Sequence, residues 1–148
     1  MSAMSNYLEN KLIDHIFRGI AMPAANTMYV SLLTAAPSDT GGGTEVSGGS
    51  YARVHYDPAY SAWKGTGNET DSTPSSGTTG TTSNVNSITF PAPTADWGHI
   101  THFAIYDDVS SGNLLFWGAL TIPKTVNNGD AAPSFATGAL SILSLIHI

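Results

Sequence analysis

Cysteine is absent from the chain, which excludes a disulfide framework, a thiolate metal site and a cysteine nucleophile. Charge is also scarce. Asp, Glu, Lys and Arg make up 11% of the 148 residues, against about 25% in ordinary globular domains. Only five residues are Lys or Arg, and the net charge is −6. No clustered cations are left to neutralise a nucleic-acid backbone, so no nucleic-acid partner is expected. No apolar run reaches the roughly 20 residues that cross a bilayer as a helix, so no membrane insertion is expected. The segment MSAMSNYLENK lacks a basic stretch followed by an apolar core. No export leader is therefore read there, and synthesis in the cytoplasm is the expectation.

Glycine, serine, threonine and alanine fill the space. Residues 37–54, PSDTGGGTEVSGGSYARV, place five glycines within twelve positions. A phosphate loop would end in Gly-Lys-Ser/Thr and lead into a helix. Here no lysine stands between Lys11 and Lys64, and a strand pattern follows. Gly41, Gly42 and Gly43 instead read as suppliers of positive φ in an exposed inter-strand loop, with Glu45 and Arg53 placed to pair. No cofactor is expected.

One helix is readable, over residues 6–18. Asn6 stands three positions before Glu9, a capping-box spacing. Leu8, Leu12, Ile13 and Ile16 recur at helical intervals, and Gly19 supplies the stop. From residue 27 the period changes to two. Strands are predicted over Thr27–Leu33, Ser50–Tyr56, Val85–Phe90, Ile100–Tyr106, Asn113–Thr121, a short Ile122–Val126 and Ala139–Ile146. Ile100–Tyr106 and Asn113–Thr121 form a hairpin, and Asn128-Gly129 suits a second tight turn. The whole chain is expected to be one antiparallel β-sandwich or barrel-like domain with one N-terminal amphipathic helix.

Residues 65–84 break the pattern. Fifteen of the twenty are Gly, Ser or Thr, with no apolar anchor. Such a segment buries too little to offset its ordering entropy and reads as a flexible surface loop, with Thr78 and Thr79 near its middle.

The chemistry-bearing residues form no recognisable constellation. His99 and His102 are close in sequence, but a spacing of three on a strand sends them to opposite faces. Asp107-Asp108 precedes a turn without the alternating acids of a calcium loop. No Gly-x-Ser-x-Gly elbow surrounds any serine. No catalytic or metal residue is assigned. Aromatic residues cluster instead: Trp97, Phe103, Tyr106, Phe116 and Trp117. On the 114–120 strand, simple alternation sets Leu114, Phe116 and Leu120 against Leu115, Trp117 and Ala119, so both faces are apolar. Burial on both sides, under the helix or against another subunit, is expected. Leu8, Leu12, Ile16, Phe116, Trp117, Leu143 and Leu145 are the candidate subunit-interface residues. Gly41, Gly42, Gly43, Thr78 and Thr79 mark candidate recognition loops.

Taken in order, SNYLENKLIDHIFRG, YVSLLTAAPSDTGGGTEVSGGSYARV, TADWGHITHFAIYDD, SGNLLFWGAL and PKTVNNGD resemble a family of small tailed-bacteriophage proteins labelled tail fibre or virion structural proteins. The resemblance covers about residues 5–56 and 85–130. It implies a β-rich, non-enzymatic virion component, made in the host cytoplasm, that assembles with copies of itself and other virion proteins. It brings no catalytic residue. Residues 57–84 are longer and more polar than that pattern, and ALSILSLIHI at the end is more apolar, a hazard if exposed as a sheet edge. Two other roles fit the same residues. One is capsid decoration. The other is a carbohydrate-binding or glycan-cleaving module for host-surface glycan, with Trp97, Trp117 and the tyrosines stacking on sugar.

Overall fold

The computed structural model describes residues 2–22 and 27–144. Along the chain run β1 (Ser2–Met4), α1 (Asn6–Arg18), β2 (Tyr29–Ala35), β3 (Thr44–Glu45), β4 (Val54–His55), β5 (Thr81–Ser83), β6 (Ile88–Thr89), β7 (Gly98–Tyr106), β8 (Leu114–Val126), β9 (Ser134–Phe135) and β10 (Ser141–Leu143). The main sheet is antiparallel in the order β1-β8-β7-β2, with β3 and β4 sharing the outer edge of β2. Two short ladders, β10-β5 and β6-β9, complete the strand pairing. The expected mainly β, antiparallel architecture with one N-terminal helix is present, and the described strands do not close a barrel.

The helix bounds match the sequence pattern, but its cap does not. Ser5, not Asn6, is the N-cap, and its Oγ accepts a hydrogen bond from the Leu8 amide at 3.3 Å. Ser5 wins because β1 delivers it, fully buried, against β8, where its Oγ also donates to the Leu114 carbonyl. Gly19 closes the helix at φ 66°, as its lack of a Cβ allows.

Two bulges reset the alternation of the central hairpin. Tyr106 opposes Leu114 while Ile105 opposes Phe116, so Leu115 is an extra residue. Leu114 and Trp117 consequently pack on one side, while Leu115 and Phe116 join the other. The simple alternation read from 114–120 is thereby corrected. A larger irregularity lies between the Ile100–Lys124 and His102–Ala119 pairs. It carries β8 through Leu120–Pro123, so the separate segment expected at Ile122–Val126 is the end of one 13-residue strand.

One face of the sheet carries the larger core. Val30, Leu32, Ile100, Phe103 and Ile105 are buried there under Ile88, Phe90, Leu140 and Ile142. At about 25 cal/mol per Å² of apolar surface, this burial is the main term holding the short ladders to the sheet. The opposite face has a smaller cluster of Leu33, Ala104 and Leu114, with Tyr106 and Trp117 against it.

Three predicted strands are shorter or placed differently. Of Ser50–Tyr56 only Val54–His55 pairs, because Tyr51 and Arg53 turn to side-chain bonds. Of Val85–Phe90 only Ile88–Thr89 pairs. The turn around Asn128-Gly129 is present, but the chain after it pairs with β6 and not with β8. The end of the predicted 65–84 loop is a strand, since Thr81–Ser83 pairs with β10. The strand expected to run to Ile146 is described as Ser141–Leu143, and Leu145 lies outside the described residues.

Candidate functional site

The interface residues expected from the sequence separate into two groups. Leu8 is 8% exposed and belongs to the chain's own core. Phe116 packs against that same core, and Trp117 is half-buried with its Nε1 donating to Asp39 Oδ1 at 3.2 Å. Leu8 is thus internal, whereas Phe116 and Trp117 are partly covered by the chain itself. Leu12 is half-buried, and Ile16 is 60% exposed. Leu143 is half-buried, and its amide donates to Ser2 Oγ at 2.9 Å.

What α1 presents to solvent is wider than the predicted stripe. Its first turn packs into the core through Leu8 and Tyr7. Beyond Leu12 the helix carries exposed Ile13 and Phe17 beside Ile16, and Ile20 and Met22 follow its cap. Phe17 is 79% exposed. Asp14 and Arg18 pair at 2.6 Å along the same end, leaving no net charge between them. Single exposed apolar residues are ordinary, but five within ten positions are a concentration of the kind that accompanies interaction sites. The row Ile13, Phe17 and Ile20 is spaced i, i+4, i+7 and was readable in the sequence.

A cleft of ≈ 570 Å³ lies between β8 and the β9–β10 region. Phe90, Phe103 and Phe135 line it, with Leu120, Ile122 and Leu143 at hand. Lys124 and the hydroxyls of Ser134 and Ser141 add polar groups. Its volume falls in the range of about 300–1,000 Å³ typical of binding clefts. Ile122 is 81% exposed, lifted out by the irregularity in the β7–β8 pairing. No periodicity in the sequence foretold this cleft, because its walls come from distant segments.

The candidate recognition loops are held by their own polar groups. In 37–43, Ser38 and Gly41 exchange backbone hydrogen bonds at 2.9 Å, and the Asp39 carbonyl accepts from Asn6 N. Gly43 sits at φ 80°, where a Cβ would press on the Ala35 carbonyl and Pro37 N. In the second loop the Glu69 carboxylate accepts from Gly67 N at 2.8 Å, from Ser76 N at 3.0 Å and from the Ser76 hydroxyl. The Ser76 hydroxyl first, then the Glu69 backbone amide and those of Gly67 and Ser76, lower the Glu69 pKa to about 2. Thr78 and Thr79 are exposed on this loop.

Other polar side chains make local pairs. The expected Glu45–Arg53 pair forms at 2.8 Å. Asp107 and Asp108 accept from amides of their own turn. His99 meets Thr125 and His102 meets Thr101, so the two histidines do not converge. Among the described residues no three His, Asp or Glu side chains come together as a metal site. Trp97 is buried with its Nε1 donating to Gly49 O at 2.9 Å, so it is not available to stack on sugar.

The chain is a layered antiparallel β protein that keeps an apolar helix end and an apolar cleft on its surface. The model of the family described as "Podophage GP4 fiber I protein gp80" matches residues 3–143, and the chain belongs to that family. The chain is thus a phage fibre-type protein, a component of the virion. No curated protein matches it.

Proposed function

We propose that this chain is a non-enzymatic structural protein of a phage fibre, assembling in multiple copies and docking on other virion proteins through the apolar end of α1. One observation carries the reading: Ile13, Ile16 and Phe17 stand in water at 52%, 60% and 79% exposure. Leaving that surface wet forgoes about 1.5–3 kcal/mol for each side chain that a partner could bury. Leu12 and Leu143 flank the helix end and the cleft and belong to the same docking surfaces. The loops carrying Gly41–Gly43 and Thr78–Thr79 are the polar surfaces left for a host-surface glycan or receptor.

The test is a comparison of phage particles assembled with the natural chain and with Ile16→Glu/Phe17→Glu. Mass spectrometry of purified particles should find the natural chain in several copies, with immunogold label on fibres. The double variant should be depleted from them. Absence of the natural chain from particles overturns the proposal, and label spread over the shell transfers it to capsid decoration.

A further inference from the structure

The geometry points to the cleft beside β8 as a binding site for a single small amphiphile, an apolar chain carrying an anionic head group. This goes beyond the assembly reading, whose docking element is the end of α1. One wall of the cleft is aromatic. Phe135 is half-buried and stands edge-to-face with Phe90 and Phe103, whose ring centres each lie 6.3 Å from its own. On the β8 side, Leu120–Pro123 stand between the Ala119 and Lys124 pairing positions, where β7 has only Thr101. Extra residues of this kind re-aim side chains beside functional sites. Here Leu120 and Ile122 line the hollow, with Ile122 still 81% exposed at its rim. A bound apolar chain would cover both.

Charge selects the head group. Lys124 lines the cleft, and no Asp or Glu does. In a chain of eleven acids and five Lys or Arg, that is a local reversal of sign. Arg18 and Arg53 are paired with Asp14 and Glu45, whereas Lys124 forms no ion pair among the described residues. The exposed hydroxyls of Ser134 and Ser141 add donors for an anion. Charges farther than about 8 Å are largely screened at physiological ionic strength. The net −6 therefore does not cancel the pull of this ammonium on a head group beside it. Size selects the tail. At about 30 Å³ for a unit the size of water, a carboxylate with about ten carbons needs on the order of 350 Å³. The hollow offers ≈ 570 Å³. By itself a hollow of that volume is too small for the roughly 1,000 Å² of total burial that a protein partner needs. It suits one amphiphile.

Titration calorimetry of the full chain with alkyl carboxylates from hexanoate to decanoate, each below its micelle concentration, tests the site. Binding should saturate at one molecule per chain and tighten about fourfold per added methylene, the ratio that corresponds to about 0.8 kcal/mol. Decanol should bind about threefold more weakly than decanoate, the worth of one exposed ion pair. Lys124→Gln should abolish that preference and leave decanol binding unchanged. Ile122→Glu should weaken decanoate at least about tenfold, through lost apolar contact and a like charge at the rim. Both positions are exposed. Should Ile122→Glu fail to fold by circular dichroism, Lys124→Gln carries the test. Absence of saturable binding, or decanol or decylammonium binding as tightly as decanoate, overturns the proposal. Binding to vesicles of anionic phospholipid without binding to monomeric decanoate overturns it in favour of a membrane surface. A chain that self-associates and refuses decanoate overturns it in favour of a second copy. Detection of the chain in particles is a separate readout, so the fibre assignment can stand where this site falls.

Discussion

Arg53 grips Glu45 with two parallel hydrogen bonds, Nε to Oε1 at 2.9 Å and Nη2 to Oε2 at 2.8 Å. Its remaining Nη1 donates to the Asp108 and Ser111 carbonyls, both at 2.8 Å, and its guanidinium lies 3.8 Å from the centre of the Tyr106 ring. One side chain thus ties β3 to the tip of the β7–β8 hairpin. Burial works against the Arg53 charge, yet Glu45 holds its pKa above the usual value. Burial, with Glu45 nearby, also pushes the Tyr51 hydroxyl well up, so that it remains the donor to Glu45.

Removing both partners of this pair should therefore cost less than the sum of the two single removals. The Arg53 side chain is only 7% exposed, and Glu45→Leu leaves it without its counter-charge. A loss of about 3 kcal/mol is expected, read from urea denaturation. Glu45→Leu/Arg53→Leu should lose less than the sum of the single changes by about 1–2 kcal/mol. Additive losses would mean that the pair is not coupled.

Asn84 is a second fixed point. It is fully buried; its Nδ2 donates to the Asn86 and Ala136 carbonyls and its Oδ1 accepts from Leu140 N at 2.9 Å. Asn84→Ala leaves these backbone groups unpaired and should lower stability by about 3 kcal/mol. Asn84→Asp keeps the shape but sets an anion against two carbonyls, and should be worse. Equal melting temperatures for Asn84→Asp and the natural chain would refute this account.

At the start of α1, Ser5→Ala should cost about 1–2 kcal/mol, since it removes both the cap on Leu8 N and the bond to Leu114 O. Asn6→Ala should change the thermal midpoint little, because Asn6 is exposed and the cap is its neighbour. The reverse order of effects would restore Asn6 as the cap.

Acid should open the Glu69 loop before the core. The folded pKa of Glu69 is lowered from 4.5 to about 2, so the contribution of its carboxylate is complete above the unfolded value. It is lost as pH falls from about 4.5 through about 2. Exchange rates of the Gly67 and Ser76 amides should rise over that window while those of β7 and β8 stay slow. Glu69→Gln should show fast exchange at pH 7 already.

Much of this architecture was legible in local pattern. Leu8, Leu12 and Ile16 with the Gly19 stop marked the helix because a 3.6-residue period and a left-handed cap are local properties. The β7–β8 hairpin and the Glu45–Arg53 pair followed from alternation and nearness in sequence. Other features were not legible. Ser5 displaced Asn6 as cap only because a sheet neighbour, Leu114, rewards its burial. Trp97 left the glycan-stacking set because Gly49, 48 positions away, accepts its N–H. The 65–84 segment read as a chain without anchors, since apolar residues were the anchors sought. Glu69 and Asn84 hold it by hydrogen bonds instead.

The amino-acid order alone determined that the chain is β-rich, weakly charged and equipped with one amphipathic helix, because periodicity and composition act over a few residues. Tertiary structure alone decided which apolar side chains stay wet. Leu8 and Phe17 look alike in sequence, but burial depends on where the helix leaves the sheet. The cleft beside β8 likewise exists only once Phe90, Phe103 and Phe135 are brought together from three separate segments.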